Sequence, residues 1–117
     1  MSNIATTISQ SRKLIELGLD PNSADMYYPY LGAGMYGDTP RVGFPIEHSG
    51  GRDIPAWSLT ALLEVMPKPD LYRETADLWV CVAYFKEGTI RGFGETAIDA
   101  ACDNITKMFE RGYLKKK

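Results

Sequence analysis

His48 is the single histidine of this chain, and it stands beside Glu47 and ahead of Asp53. A carboxylate that orients an imidazole can make it a general base. No serine or cysteine near it lies in the sharp strand-to-helix turn that exposes a nucleophile, and the surrounding segment is polar. We therefore predict that His48 lies in a solvent-exposed turn. An enzyme centred on it is the least favoured of three hypotheses, and we assign no catalytic residue.

The two cysteines, Cys81 and Cys102, each lie in a strongly apolar stretch. Neither has a second cysteine close by, so the spacing of zinc ligands is missing. Two buried thiols indicate a cytoplasmic protein, and the start at Met1 lacks the basic and apolar regions of a signal peptide. We expect no metal at either thiol.

Three carboxylates, Asp70, Glu74 and Asp77, precede an apolar segment and could together bind a cation. Their spacing fits no calcium-binding loop. The sequence therefore predicts a solvated connection here.

Two glycine-rich segments have spacings that can bind a phosphate. Gly32–Gly37 matches the dinucleotide pattern GxGxxG, but Pro29 precedes it where a strand is needed and Pro40 follows where a helix must begin. Gly92–Thr96 joins a predicted strand to a predicted helix, where free amides and the helix dipole favour an anion. Acidic residues already occupy that terminus, so we predict ordinary helix capping and no cofactor.

Aromatic side chains supply the candidate binding residues. Tyr27, Tyr28, Tyr30 and Tyr36 lie close together among glycines and prolines, and Trp57 follows further along the chain. Tyrosine offers a large amphipathic contact area at low rotamer cost, which suits recognition of a protein. Lysine and arginine do not alternate with these rings, so a nucleic-acid platform is disfavoured. Two interpretations remain open, a binding surface and a cover over the core.

Composition and charge limit the remaining classes. The chain has 117 residues, of which 44% are hydrophobic and 11% aromatic, as expected for one folded domain. A formal net charge of −2 gives no general attraction to nucleic acid or membrane. No stretch approaches the roughly 18 apolar residues of a membrane span. Arg111 and Lys115–Lys117 form a basic end, which we interpret as a flexible solvated tail.

The clearest structural signals are helix caps. Ser58 precedes an apolar stripe, with Trp57 and Leu62 at the spacing of a hydrophobic staple, and Thr96 precedes a second stripe with Asp99 at its third position. Alternating apolar residues and turn signals indicate hairpins elsewhere. The predicted helices span about 4–17, 21–26, 59–66 and 97–111, and the predicted hairpins lie within 42–54 and 78–93.

Leu78–Phe85 is apolar on both faces of a pleat, so it is predicted to be a central strand. The order of elements predicts an α+β fold in which a small antiparallel sheet of two hairpins is covered by three main helices. One domain is expected to span residues 1–117.

Three segments of the chain, Ile54–Pro67, Glu95–Ala101 and Phe109–Leu114, resemble small uncharacterised proteins carried by phages, prophages and mobile elements of gut bacteria. The resemblance spans most of the chain from Ser9 onward. It implies an accessory or interaction role and brings neither a known activity nor catalytic residues.

The first functional hypothesis is a non-enzymatic interaction module that binds a protein partner or itself, using the tyrosine-rich segment and an open sheet edge through which a homodimer would form. The alternative is a nucleic-acid accessory protein that contacts phosphates through Arg111 and Lys115–Lys117. Neither hypothesis involves a membrane.

Overall fold

The computed structural model describes residues 4–43 and 52–114. His48 and Glu47, the predicted strand positions at 44–46 and the Lys115–Lys117 tail lie outside these ranges. The elements of the described part are α1 (Ile8–Leu17), a 3-10 turn (Pro21–Ser23), β1 (Met26–Tyr28), β2 (Tyr30–Gly32), β3 (Met35–Tyr36), β4 (Arg41–Val42), β5 (Ile54–Ala56), α2 (Leu59–Val65), β6 (Asp70–Thr75), β7 (Leu78–Phe85), β8 (Gly88–Gly94) and α3 (Ala97–Glu110).

The α+β prediction is confirmed, but the sheet arrangement differs from two hairpins covered by helices. In the described residues the strands form three small antiparallel sheets, with orders β4-β1-β5, β2-β3 and β6-β7-β8. The strand β1 was missed because it spans only Met26–Tyr28, which is too short to show an alternating pattern.

The prediction that Leu78–Phe85 is a central strand is confirmed, since β7 pairs with β6 on one side and β8 on the other. The solvated connection predicted around Asp70 and Glu74 is wrong, because both residues belong to β6. Five of its six residues are exposed, so the strand has no apolar pattern of its own. Its pairing with β7 decides its conformation, and a sequence pattern does not record that pairing.

The predicted caps at Ser58 and Thr96 are confirmed. The Ser58 side chain accepts a hydrogen bond from the Ala61 amide, and Thr96 accepts one from Asp99. The first helix begins at Ile8 rather than near residue 4, because Thr7 and Gln10 form a capping box ahead of it.

The next predicted helix is a single 3-10 turn, Pro21–Ser23, rather than a helix reaching residue 26. The Asp20 side chain caps it, as predicted, by accepting from the Asn22 amide.

The main core lies between the helices and one face of β6-β7-β8, called here the inner face. Cys81 and Ile90 project from that face towards Leu62 of α2 and Ile105 of α3, and all are buried. Trp57 is fully buried in the same cluster.

Glycines bring α3 directly onto the sheet. A Cβ added at Gly92 would lie 2.3 Å from the Ala100 carbonyl oxygen, and one at Gly94 would lie 2.5 Å from the Asp99 Cβ. Any larger residue would hold the helix away from β8.

A helix that crosses a membrane must be both long and apolar. None of the helices within 4–43 and 52–114 combines the length and apolar character needed to cross a bilayer.

Candidate interaction site

The second face of β6-β7-β8, called here the outer face, points away from the main core. Residues paired directly across antiparallel strands share a face. Tyr72, Val80 and Phe93 therefore form one row across the three strands. The two rings are 43% and 45% exposed, whereas the valine between them is 1% exposed. The row thus places two accessible aromatic rings around a covered aliphatic centre.

A second row runs parallel to the first and carries charge at its ends. Asp70, Val82 and Arg91 are paired across the strands. Asp70 and Arg91 are exposed, and Val82 is 3% exposed. Within the described part of the chain, neither charged side chain has a hydrogen bond or an ion pair. Tyr84, on the same face of β7, is 44% exposed and enlarges the aromatic surface.

The free edge of β8 is closed by two side chains of α3. The Asp103 carboxylate accepts a hydrogen bond of 2.9 Å from the Phe93 amide, and the Lys107 ammonium donates one of 3.0 Å to the Arg91 carbonyl. Asp103 and Lys107 also form an ion pair of 3.0 Å. The exposed backbone groups of an edge strand invite another strand to pair, and here they are already occupied.

The free edge of β6 is different. Among the described residues, β6 pairs only with β7. Antiparallel strands direct alternate residues to opposite sides, and the Phe93 and Arg91 contacts fix which side is which. The backbone groups of Leu71 and Arg73 therefore point away from β7. The Arg73 side chain bonds to the carbonyls of Thr75 and Ala76 instead of covering this edge.

The tyrosine-rich segment has a divided role. Tyr28 is buried, and its hydroxyl donates a hydrogen bond of 2.8 Å to the Thr6 carbonyl. Trp57 is buried in the main core, and its indole N–H donates to Ser23 Oγ at 2.9 Å. These two rings help to hold the fold together.

The other three tyrosines are partly accessible. Tyr30 and Tyr36 pack edge to face with centroids 5.3 Å apart, and Tyr27 is half-buried. Arg52 stands over the Tyr30 ring and Arg12 over the Tyr36 ring. The structure therefore joins Tyr30 with Tyr36 but leaves Trp57 in a separate cluster, and a binding role for these tyrosines stays a prediction.

Both glycine-rich segments that were considered as phosphate-binding sites have local structural roles. Gly32–Gly37 forms the β2-β3 hairpin, in which Gly34 has φ +76°, and it leads into no helix. At Gly92–Thr96, the Phe93 amide is already bound by Asp103 and the Thr96 side chain caps α3. The capping predicted for the second segment is therefore confirmed.

The thiols are held in their protonated form. Burial, with a smaller contribution from the Asp70 charge, raises the pKa of Cys81 to about 11. Burial, followed by the charges of Asp99 and Asp103, raises the pKa of Cys102 to about 12. Since the thiolate is the nucleophile, both groups are poor nucleophiles at neutral pH.

Among the described residues, cavities open beside the helices at two places. One of about 300 Å³ lies between α1 and α3, where the Gln10 amide donates to Asp99 at 2.7 Å. The other, of about 480 Å³, lies beside α2 and includes Asp25. The Asp25 carboxylate accepts from the Ser58 amide and hydroxyl at 2.8 and 2.5 Å, so it serves to fix the start of α2.

Sequence reasoning missed the outer face. Tyr72 lay in the segment interpreted as a solvated connection, and Phe93 was predicted as the end of a hairpin strand, without a prediction of the face to which its ring points. The available signal was the alternation along β7, where Val80, Val82 and Tyr84 share one face. Recognising β6 as the neighbouring strand would have placed Tyr72 beside them.

The fold places this chain in the α+β class. Comparison with protein-family models, with curated proteins and with solved structures found no match.

Proposed function

We propose that this chain is a non-enzymatic protein-interaction module that associates with itself, and that it serves as an accessory factor of a phage or mobile element. The observation that carries the proposal is the outer face. Its rings at Tyr72, Tyr84 and Phe93 are each more than two-fifths exposed. Exposed aromatic rings grouped on one face of a folded domain favour the binding of another molecule.

The chemistry of the remaining groups agrees with a binding role. The raised pKa values of Cys81 and Cys102 keep both thiols protonated, so neither serves as a nucleophile at neutral pH. Of the acids that line these cavities, Asp25, Asp99 and Asp103 accept hydrogen bonds within the fold, and Glu64 is exposed. The exposed aromatic surface remains the best-supported place for function.

The proposal places the contact at the outer face rather than at the tyrosine-rich segment. Tyr28 and Trp57 are buried and bonded internally, so they present little surface to a partner. Arg111 lies exposed at the end of α3. Its use in the alternative hypothesis, binding of nucleic-acid phosphates, stays a prediction.

Sedimentation velocity on the full chain, from low to high micromolar concentration, tests self-association. The average mass is expected to rise towards that of a dimer as concentration increases. Phe93→Ser should suppress this rise. Leu31→Ser is the matched control, because Leu31 is an exposed apolar residue on the separate β2-β3 sheet. A wild-type chain that stays monomeric at the highest concentration contradicts the proposal.

A further inference from the structure

We propose that the dimer forms by packing the outer face against the outer face of a second copy, about a two-fold axis parallel to β7. This inference rests on the proposed function, since it specifies the geometry of the proposed self-association. It assigns a binding role to Asp70, Tyr72, Arg91 and Phe93.

The charged row is complementary to the same row of a second copy that runs in the opposite direction across the strands. Asp70 lies at the β6 end and Arg91 at the β8 end, with Val82 between them. Two strand spacings separate the ends, which amounts to about 10 Å. A two-fold axis along β7 places β6 of one copy opposite β8 of the other. Asp70 of each copy then faces Arg91 of its partner, and the contact contains this pair twice.

The aromatic row fits the same operation. Tyr72 and Phe93 are both exposed and stand at opposite ends of their row, so each meets the other across the interface, above the buried Val80. Lys107 stands over the Phe93 ring at 4.9 Å and covers part of it. The rest of the ring remains available, and aromatic pairs favour such offset or edge contacts.

The other in-plane axis, perpendicular to the strands, fits less well. When it passes between the two rows, it places Asp70 against Tyr72 of the partner and Arg91 against Phe93. Both carboxylates would then be desolvated without a cation, which is unfavourable. The parallel axis is therefore selected by charge.

The edges of the sheet narrow the alternatives further. Pairing through β8 would have to displace Asp103 from the Phe93 amide and Lys107 from the Arg91 carbonyl. Pairing through β6 remains open to the backbone groups of Leu71 and Arg73, but it does not bring Asp70 to Arg91. Charge reversals at Asp70 and Arg91 therefore distinguish face packing from edge pairing.

The size of the outer face limits the size of the interface. Three strands, the longest of eight residues, form a plane of about 14 by 26 Å, or about 360 Å². Stable interfaces bury about 800 Å² on each partner. The dimer should therefore form only a small interface and be sensitive to single changes at the charged row.

The test uses charge reversals in the full chain, followed by sedimentation. Asp70→Arg alone or Arg91→Asp alone places like charges together twice, so each should weaken the dimer by about tenfold or more. An equimolar mixture of the two variants should associate as a heterodimer, because both contacts are then oppositely charged. The double variant Asp70→Arg/Arg91→Asp should restore the homodimer. Glu110→Lys, an exposed reversal on α3, is the control and should leave the dimer unchanged.

Each outcome decides a separate point. If the wild type associates, Phe93→Ser suppresses association and the two single reversals have no effect, the geometry is wrong while the proposed function stands. An edge-paired dimer through β6 would be unaffected by Phe93→Ser as well, and that result overturns the placing of the contact at the outer face. If the wild type is monomeric throughout, both proposals fail. Should the monomer instead bind a labelled single-stranded oligonucleotide in a manner abolished by Phe93→Ser, the outer face is a base-stacking surface and the dimer is overturned.

Discussion

Replacing Gly92 by alanine should be among the most destabilising single-methyl additions in this chain. The new Cβ would lie 2.3 Å from both the Ala100 carbonyl oxygen and the Asn104 amide nitrogen, and 2.7 Å from the Asn104 Cα. Ordinary contacts to a Cβ begin near 3.4 Å. The neighbours are backbone atoms of α3, so no side-chain rotation relieves the clash, and the helix must move by about 1 Å.

That movement has two consequences. Buried side chains such as Ile105 lose close packing against the inner face. The side-chain amide of Asn104 donates hydrogen bonds to the carbonyls of Cys81 at 2.5 Å and Ile90 at 3.0 Å, and the movement of the helix pulls it away from both acceptors. Overpacking costs about 1–3 kcal/mol, and each weakened buried hydrogen bond adds about 1 kcal/mol. We expect a loss of about 3–5 kcal/mol.

Urea denaturation followed by tryptophan fluorescence measures the loss, and thermal unfolding should show a fall of about 12 °C or more. Gly34→Ala is the control, because Gly34 has φ +76° and an added Cβ meets nothing within 4 Å. Left-handed strain alone should cost about 1 kcal/mol there. The reasoning is refuted if Gly92→Ala loses no more stability than Gly34→Ala.

Three further changes test other contacts. Asn104→Asp replaces the donor to the Cys81 and Ile90 carbonyls by a buried carboxyl group. Burial should raise the pKa of this carboxyl group above its value in the unfolded chain, so the urea midpoint should be lowest at neutral pH and recover as the pH falls. Because the pKa values of Cys81 and Cys102 are raised to about 11 and about 12, unfolded thiols ionise first, and stability under reducing conditions should fall as pH rises above about 9; substituting both thiols by valine should flatten that decline. Asp25→Ala should reduce stability in urea by about 1–3 kcal/mol by removing the acceptor of the Ser58 amide and hydroxyl, and an unchanged midpoint would contradict the capping role.

The sequence predicts those parts of the fold that are set by local chemistry. Ser58 and Thr96 cap their helices because a short side chain with an oxygen acceptor satisfies a nearby free amide. β7 is predictable because apolar residues on both faces have few other stable environments. The capping box formed by Thr7 and Gln10 is equally local, but it was missed, and the start of α1 was predicted near residue 4 instead of at Ile8.

What could not be predicted depends on strand pairing and its register. β6 is polar along most of its length, and its register with β7 shifts between Arg73 and Thr75. A one-residue slip would send Tyr72 to the inner face, so its place beside Val80 requires the three-dimensional pairing. Phe93 is similar, since nothing local in Gly92–Gly94 distinguishes an exposed ring from a buried one. The candidate site is a property of register, whereas the caps are properties of neighbouring residues.

The close packing at Gly92 and Gly94 determines how the edge of β8 is closed. Because Gly92 and Gly94 lack a Cβ, α3 lies close enough for Asp103 to reach the Phe93 amide and for Lys107 to reach the Arg91 carbonyl. Those bonds close the β8 edge against strand addition, which would otherwise lead to uncontrolled pairing. Pairing through β8 is thereby disfavoured, and in the proposed dimer the opposed charges of the Asp70–Arg91 row favour one arrangement of two copies across the outer face. A change that lifts α3 should therefore alter both the stability of the fold and its mode of association.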